Sequence, residues 1–272
     1  MSINYNGKIT KSQKSILNRS FNYGDGIFET IKIINGEIYN ADFHFNRLKQ
    51  ATKTVKVDFP FCDFNDFIHN INITIDLYVK NNNLGGRLKI IIFRSEGGFY
   101  LPDNNNSNFI IIFAKSETNG FKIQQKPLKL CLYNIKKQIT PYSFFKSTSS
   151  LYYIMASIYF QEQNFDDALL LNNYNRIVET TNSNIFFVKK NIIKTPLIQE
   201  GCVDGSMRHV VLEILKKNNK YLIEESTINY SDIVNFDEVF ITNSIKGIVS
   251  VRKINDFYYD NFNLRNKLIK EI

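Results

Sequence analysis

Hydrophobic positions along the chain alternate between two periods, one of strands and one of helices. Phe28 to Ile34 is a β-branched and aromatic run, followed by Asn35-Gly36 and then Glu37 to Tyr39, which predicts two strands joined by a tight hairpin turn. After Asn40, the residues Phe43, Leu48, Ala51 and Val55 recur near helical spacing, and Phe64, Phe67, Ile68, Ile71 and Ile75 predict a second helix. The apolar runs Leu88 to Phe93 and Phe109 to Ala114 read as central strands, with Gly97-Gly98 and the stretch from Pro102 to Asn106 between them. A linker around Glu117 to Gly120 precedes a strand at Leu128 to Tyr133, and from there strands dominate, at Ala168 to Leu171, Arg176 to Glu179, Ile185 to Val188 and Val239 to Thr242. Two helices interrupt them. One has apolar residues at Leu151, Ile154, Met155, Ile158 and Tyr159, the other at Met207, Val210, Val211, Ile214 and Leu215, and this spacing marks each as a buried stripe. The chain reads as α/β in two domains, a small α/β domain over residues 1–117 and a larger β-rich one over 118–272. There is no internal repeat.

Composition narrows the class. With 43% hydrophobic and 14% aromatic residues in 272, the chain has material for a large core and is neither a disordered tail nor a minimal module. The formal charge of +8 keeps nucleic acid and anionic small molecules in play as partners. The excess is dispersed in pairs such as Lys136-Lys137, Lys189-Lys190 and Lys216-Lys217, the pattern of a solvated surface rather than a nucleic-acid arm. Cys62, Cys131 and Cys202 are odd in number and far apart, against a disulfide framework or a cysteine metal site. The amino terminus lacks a secretory pattern and no apolar run approaches the ~20 residues of a membrane helix, so the expectation is a soluble cytoplasmic protein that binds neither membrane nor nucleic acid. The asparagine runs at 81–83 and 104–106 carry no functional weight.

Three segments carry candidate chemistry. From Ile139 to Gln161, Lys146 is the only charged side chain, flanked by Phe144-Phe145 and by Ser147 to Ser150. An ammonium in such company loses its charge more readily and becomes a nucleophile able to attack a carbonyl; the alternative is a helix-flanking lysine that snorkels to solvent. Glu179 is the sole charge from Ile177 to Val188 and requires a cation or a proton, which a protonated pyridine nitrogen would supply; it is equally read as a hydrogen-bonded strand-end glutamate. Gly201-Cys202-Val203-Asp204-Gly205-Ser206-Met207-Arg208 runs into a helix whose first amides could hold a phosphate, or Asp204 serves only as its N-cap. His44, His69 and His209 share no metal-ligand spacing, so no metal is expected, and no Gly-x-Ser-x-Gly elbow is present.

In order and spacing these segments, together with Tyr23-Gly24-Asp25-Gly26-Ile27-Phe28-Glu29-Thr30, His44-Phe45-Asn46-Arg47-Leu48 and Phe240-Ile241-Thr242-Asn243-Ser244, resemble the class IV aminotransferases. These are pyridoxal-phosphate enzymes of fold type IV, among them branched-chain and D-amino-acid transaminases and aminodeoxychorismate lyase. The resemblance implies a homodimer with pyridoxal 5'-phosphate in a cleft between the two domains. It implies that Lys146 carries the cofactor and moves the proton, and that Glu179 pairs with the ring nitrogen. Arg47 would grip the phosphate with the amides of Ser206 and Met207 and the hydroxyl of Ser244, and Val203 would pack on a ring face. Phe28 stands where D-amino-acid enzymes place a tyrosine, which fits the branched-chain type better; Leu151 stands where branched-chain enzymes place a tyrosine, which is nearer the lyases. Arg94 is a candidate for a substrate carboxylate, or for a strand-end salt bridge with Glu96 or another acid. The expected reaction is amino transfer between an amino acid and a 2-oxo acid, the alternative being the lyase reaction that releases pyruvate and 4-aminobenzoate.

Overall fold

The structure is a computed structural model that describes residues 2–10, 18–76, 85–116, 118–124, 126–218 and 220–272. The asparagine run at 81–83 and Glu117 of the expected linker lie outside them. Contacts divide the chain into two units: Met1–Phe121 with Phe145–Ser150, and Lys122–Phe144 with Leu151–Ile272.

The first unit is built on β1 (Ser2–Tyr5), β2 (Lys8–Thr10), β3 (Gly26–Ile34), β4 (Glu37–Ile38), β5 (Gly86–Arg94) and β6 (Ser107–Lys115), in the antiparallel order β2-β1-β6-β5-β3-β4. The expected hairpin is present. Asn35 and Gly36 hold φ of +53° and +81°, the twist that matches a two-residue turn to its strands. The sheet receives a further two-residue strand, β8 (Lys146–Ser147), from later in the chain, with Phe28 opposite Lys146 and Ile27 opposite Ser147. This pairing makes Phe145–Ser150 part of the first unit, whereas the sequence pattern leaves Lys146 in the second. Three helices join the sheet, α1 (Arg19–Tyr23), α2 (Ala41–Thr54) and α3 (Phe64–Asp76). Ile31, Ile33, Leu48, Phe67, Ile71, Leu88, Ile90 and Phe113 are fully buried among them.

The second unit is a nine-stranded mixed sheet. Its strands are β7 (Leu128–Leu132), β9 (Asp167–Leu171), β10 (Ile177–Thr180), β11 (Asn184–Lys189), β12 (Ile192–Pro196), β13 (Leu222–Ser226), β14 (Glu238–Asn243), β15 (Gly247–Ile254) and β16 (Phe257–Tyr258). They run in the order β10-β9-β7-β15-β14-β11-β12-β13, with β16 beside β15. One face is a continuous apolar core that includes Leu130, Leu169, Ile177, Ile185, Phe187, Val239, Ile241, Val249 and Val251. The helices are α4 (Leu151–Glu162), α5 (Ser206–Lys216) and α6 (Asn263–Leu268). α5 buries Met207, Val211 and Leu215 as its spacing predicts, and packs against β14.

α4 departs from expectation. Its stripe of Leu151, Ile154, Met155 and Ile158 is exposed, Leu151 by 69%, while Ala156 is buried and Tyr152, Tyr153, Tyr159 and Phe160 pack on the core cluster around Tyr133 and Leu170. The sequence Leu-Tyr-Tyr-Ile-Met-Ala-Ser-Ile-Tyr-Phe is apolar nearly all round, so spacing alone does not pick the inward face. The tyrosine face turns inward because its hydroxyls find partners: Tyr152 donates to Ile135 O at 2.8 Å and Tyr153 to Glu179 Oε1 at 2.8 Å.

Candidate active site

In the first unit, the segment Tyr23 to Gly26 clamps the strand that carries Lys146. Gly24 closes α1 in the left-handed conformation at φ +68°. Gly26 allows close passage of the later segment, since a Cβ there would lie 3.1 Å from Thr148 Oγ1 and 2.7 Å from Ser20 Oγ. Thr148 donates to Gly26 O through both its amide and its hydroxyl, at 2.9 and 3.1 Å, and Ser149 Oγ donates to Gly24 O. Lys146 is half-buried, with Nζ 5.6 Å from the centroid of the Phe28 ring. Lys89 Nζ stands 4.4 Å from the same ring, and burial beside Arg87 lowers its proton affinity. Phe28 is therefore a hydrophobic neighbour of two ammonium groups.

Arg47 is 5% exposed. Its Nε and Nη2 each donate at 2.6 Å to the Glu29 carboxylate, and His44 Nδ1 lies 2.7 Å from Glu29 Oε2. Burial raises the proton affinity of Glu29, but the Arg47 and His44 charges and hydrogen bonds outweigh it and hold its pKa down to about 2. The bidentate fork fixes the plane of the guanidinium.

Arg94 is not placed to bind substrate. Nε donates to Asp25 Oδ2 at 3.0 Å, Nη1 to Lys56 O at 2.8 Å and to Asn105 Oδ1 at 2.6 Å, and Nη2 to Val55 O at 2.8 Å. Four donors are consumed within the fold and the residue is 6% exposed, so it ties β5 to the end of α2. Its acid is Asp25 rather than Glu96; Asp25 also receives Arg19 Nε at 2.8 Å.

In the second unit, Glu179 sits on the edge strand β10 beyond a register shift between Ile177 and Glu179, a bulge that re-aims the side chain. The cation it requires is supplied by the protein itself. Lys137, assigned by its pattern to a solvated surface, is 7% exposed, and its Nζ donates to Glu179 Oε1 at 2.5 Å and to Gly201 O at 2.5 Å. Tyr153 donates to the same Oε1, and Val203 N donates to Oε2 at 3.0 Å. A carboxylate has about four lone-pair positions, so one remains, on Oε2.

Val203 links this carboxylate to the start of α5. Its carbonyl accepts Asn184 Nδ2 at 2.7 Å, and three residues on the helix begins. The N-cap is Gly205, with no side-chain cap, rather than Asp204, whose carboxylate lies 3.9 Å from Arg208 Nη1. A Cβ at Gly205 would fall 1.9 Å from Asn184 Oδ1. Opposite Asn184 across the ladder stands Thr242, whose buried Oγ1 has no hydrogen-bond partner among the described residues. Ser244 follows in a turn held by Asn243, which donates to Asn182 O at 2.5 Å and accepts from Ile245 N and Lys246 N.

Residues 26–254 match the model of the amino-transferase class IV family. The chain belongs to the class IV aminotransferases. Among its relatives are aminodeoxychorismate lyase of Vibrio harveyi, 29% identical over 87% of this chain and 85% of that protein, and the putative branched-chain-amino-acid aminotransferase of Methanocaldococcus jannaschii, 26% identical over 100% and 92%. The fold is that of the branched-chain aminotransferase of Thermoproteus uzoniensis, with a TM-score of 0.87 at 19% identity over 100% of this chain and 93% of that one. It is likewise that of an aminotransferase from Brucella abortus bound to pyridoxal phosphate, with a TM-score of 0.84 at 16% identity over 99% and 97%. The family depends on that cofactor, and the second unit has groups that fit it: one acceptor position left on Glu179, helix amides without a side-chain cap, and the orphaned hydroxyl of Thr242. Glu29, His44, Lys137 and Tyr153 are the contributors that pattern reading missed. Glu29 and His44 lie within segments that carried the resemblance without being given a role, and the signal for Lys137 was the need of Glu179 for a cation.

Proposed function

We propose that this class IV enzyme uses pyridoxal phosphate to move an amino group between an amino acid, of branched-chain type, and a 2-oxo acid. The observation that carries the reading is the connection through Val203, which joins the remaining acceptor position of Glu179 to the uncapped start of α5. A single ligand with a ring nitrogen and a phosphate at opposite ends matches those two groups. When bound, the cofactor supplies an aldehyde for amines and a ring that withdraws electrons. Lys146 offers the amine and then carries the proton at its Nζ; Glu179 accepts from the ring nitrogen through Oε2. Arg47, held flat by Glu29, and the amides of Ser206 and Met207 with the Ser244 hydroxyl hold the phosphate, while Val203 lies against a ring face. Phe28 shields Lys146 from water on one side. The lyase reaction remains the second reading because Leu151 occupies the position where branched-chain enzymes carry a tyrosine.

A homodimer follows from the same reading. The exposed apolar face of α4 supports it, since a face of four large side chains is rarely left to water. The cytoplasm is the proposed compartment, in keeping with cysteines that are all free.

The test is borohydride reduction of the protein incubated with pyridoxal phosphate, followed by peptide mapping. Label on Lys146, absent in Lys146→Ala, supports the reading, and label spread over surface lysines overturns it. A substrate panel then separates the reactions: glutamate from a branched-chain amino acid plus 2-oxoglutarate marks transfer, and pyruvate with 4-aminobenzoate from aminodeoxychorismate marks the lyase.

A further inference from the structure

Lys137 and Glu179 form a buried ion pair within the second unit, with side chains 9% and 4% exposed. Lys137 Nζ donates to Glu179 and to Gly201 O and lies 5.2 Å from the centroid of the Tyr153 ring. Tyr152 and Tyr153 on α4 and Cys202 in the loop before α5 are also electrostatically coupled to Glu179. Burial pushes the Cys202 thiol up to about 12 and raises both phenols, so all three are neutral near pH 7. Asp204 and Arg208 act on Cys202 and lie 3.9 Å from each other. Among the described residues of this unit, Lys137 is the formal charge within ion-pair distance of Glu179.

A carboxylate facing a ring nitrogen holds one proton with it. An ammonium on the far side of that carboxylate does two things at once. It stabilises the anion, which moves the shared proton toward the nitrogen, and it repels that proton, so that the pair gives it up at lower pH. We infer that Lys137 is a positioning residue that keeps Glu179 in its anionic, ring-facing state and lowers the pH at which the carboxylate and ring nitrogen release their shared proton. This rests on the proposed cofactor. It also explains why Lys137 bonds Gly201 O: the same ammonium ties the carboxylate to the loop that leads into α5.

The experiment compares the Kd of pyridoxal phosphate with that of its 1-deaza analogue, in which carbon replaces the ring nitrogen, across the neutral and alkaline range. The ratio of the two cancels titration of the phosphate, and what remains depends on the ring nitrogen. Wild type and Lys137→Arg, which keeps the charge, are expected to share one midpoint. Lys137→Gln, which keeps donors but not charge, and Lys137→Met are expected to move it upward by about one pH unit or more. A ratio whose midpoint is the same in all four proteins, with both ligands weakened alike in the neutral variants, overturns the inference and leaves Lys137 a packing residue. Should the wild type bind neither ligand, it is the proposed function that falls.

Discussion

Glu29→Gln removes the negative charge at the centre of the His44–Glu29–Arg47 cluster while conserving shape. The cluster is buried, with Glu29 and His44 each 1% exposed, so the loss is not screened by solvent. At neutral pH the change leaves the Arg47 guanidinium without its counter-ion, which costs about 3–5 kcal/mol. The pH dependence gives an independent magnitude. Glu29 titrates at about 2 in the folded chain against 4.5 for an ordinary glutamate. Its folded value is depressed, so the unfolded chain takes up the proton first as pH falls. The stabilisation is complete above 4.5 and drains away toward 2, and a gap of that width is worth about 3 kcal/mol. His44, whose proton affinity is lowered by burial and raised by its contact with Glu29, adds a loss as pH falls below 6.5 that is larger in the variant, where the support of the Glu29 charge is gone. Urea unfolding of wild type and variant, at pH 7 and stepwise down to about pH 3, follows the difference, which His44 widens below 6.5 and Glu29 closes below 4.5. The variant is expected to be the less stable by the full amount at pH 7, with the gap closing below 4.5. A gap that stays constant through the acid range would refute the assignment of the charge to Glu29. The same variant is expected to bind pyridoxal phosphate more weakly, because Arg47 loses the fork that orients it.

Arg94→Gln breaks hydrogen bonds to Asp25, Val55, Lys56 and Asn105 and is expected to lower unfolding free energy by about 2–4 kcal/mol with no selective rise in KM; a normal melting curve with a raised KM would restore Arg94 to the substrate. Gly205→Ala forces Asn184 from its bond to Val203 O, and a loss of about 1–3 kcal/mol together with weaker binding of pyridoxal phosphate is expected by calorimetry. Ile154→Asp with Met155→Asp on the exposed face of α4 is expected to convert a dimer to monomers in sedimentation velocity, and an unchanged sedimentation coefficient would leave that face unexplained.

The strands and helices were legible where one face of an element is apolar and the other is not. The hairpin around Asn35-Gly36, both central strands of the first unit and the stripe of α5 follow from period and turn chemistry alone. β15, though rich in β-branched residues, escaped notice because Lys253 and Arg252 interrupt its end and Gly247 opens it. The inward face of α4 was illegible for the opposite reason, since both of its faces are apolar and the choice falls to two tyrosine hydroxyls with partners elsewhere in the chain. β8 is two residues long, too short for any period, and its place beside β3 depends on the small glycines at 24 and 26.

Charged side chains follow a different logic from elements. Windows empty of charge singled out Lys146 and Glu179 because a lone ionised group in apolar company is costly and must have a use. The partner that neutralises such a group is under no constraint to be near it in sequence. Glu29 meets Arg47 across a hairpin and a helix, and Lys137 meets Glu179 across β9 and the whole of α4. Read locally, Lys137 was one of a basic pair and Glu29 one acid in a strand. A buried carboxylate therefore advertises in its own window that a cation exists, while only the fold says which one, and in this chain the cation turns out to be protein before any ligand arrives. That ordering matters for function. A site whose counter-charges are already in place does not need its cofactor in order to hold its shape, so loss of the ring nitrogen or of the phosphate should be felt as lost affinity rather than as unfolding.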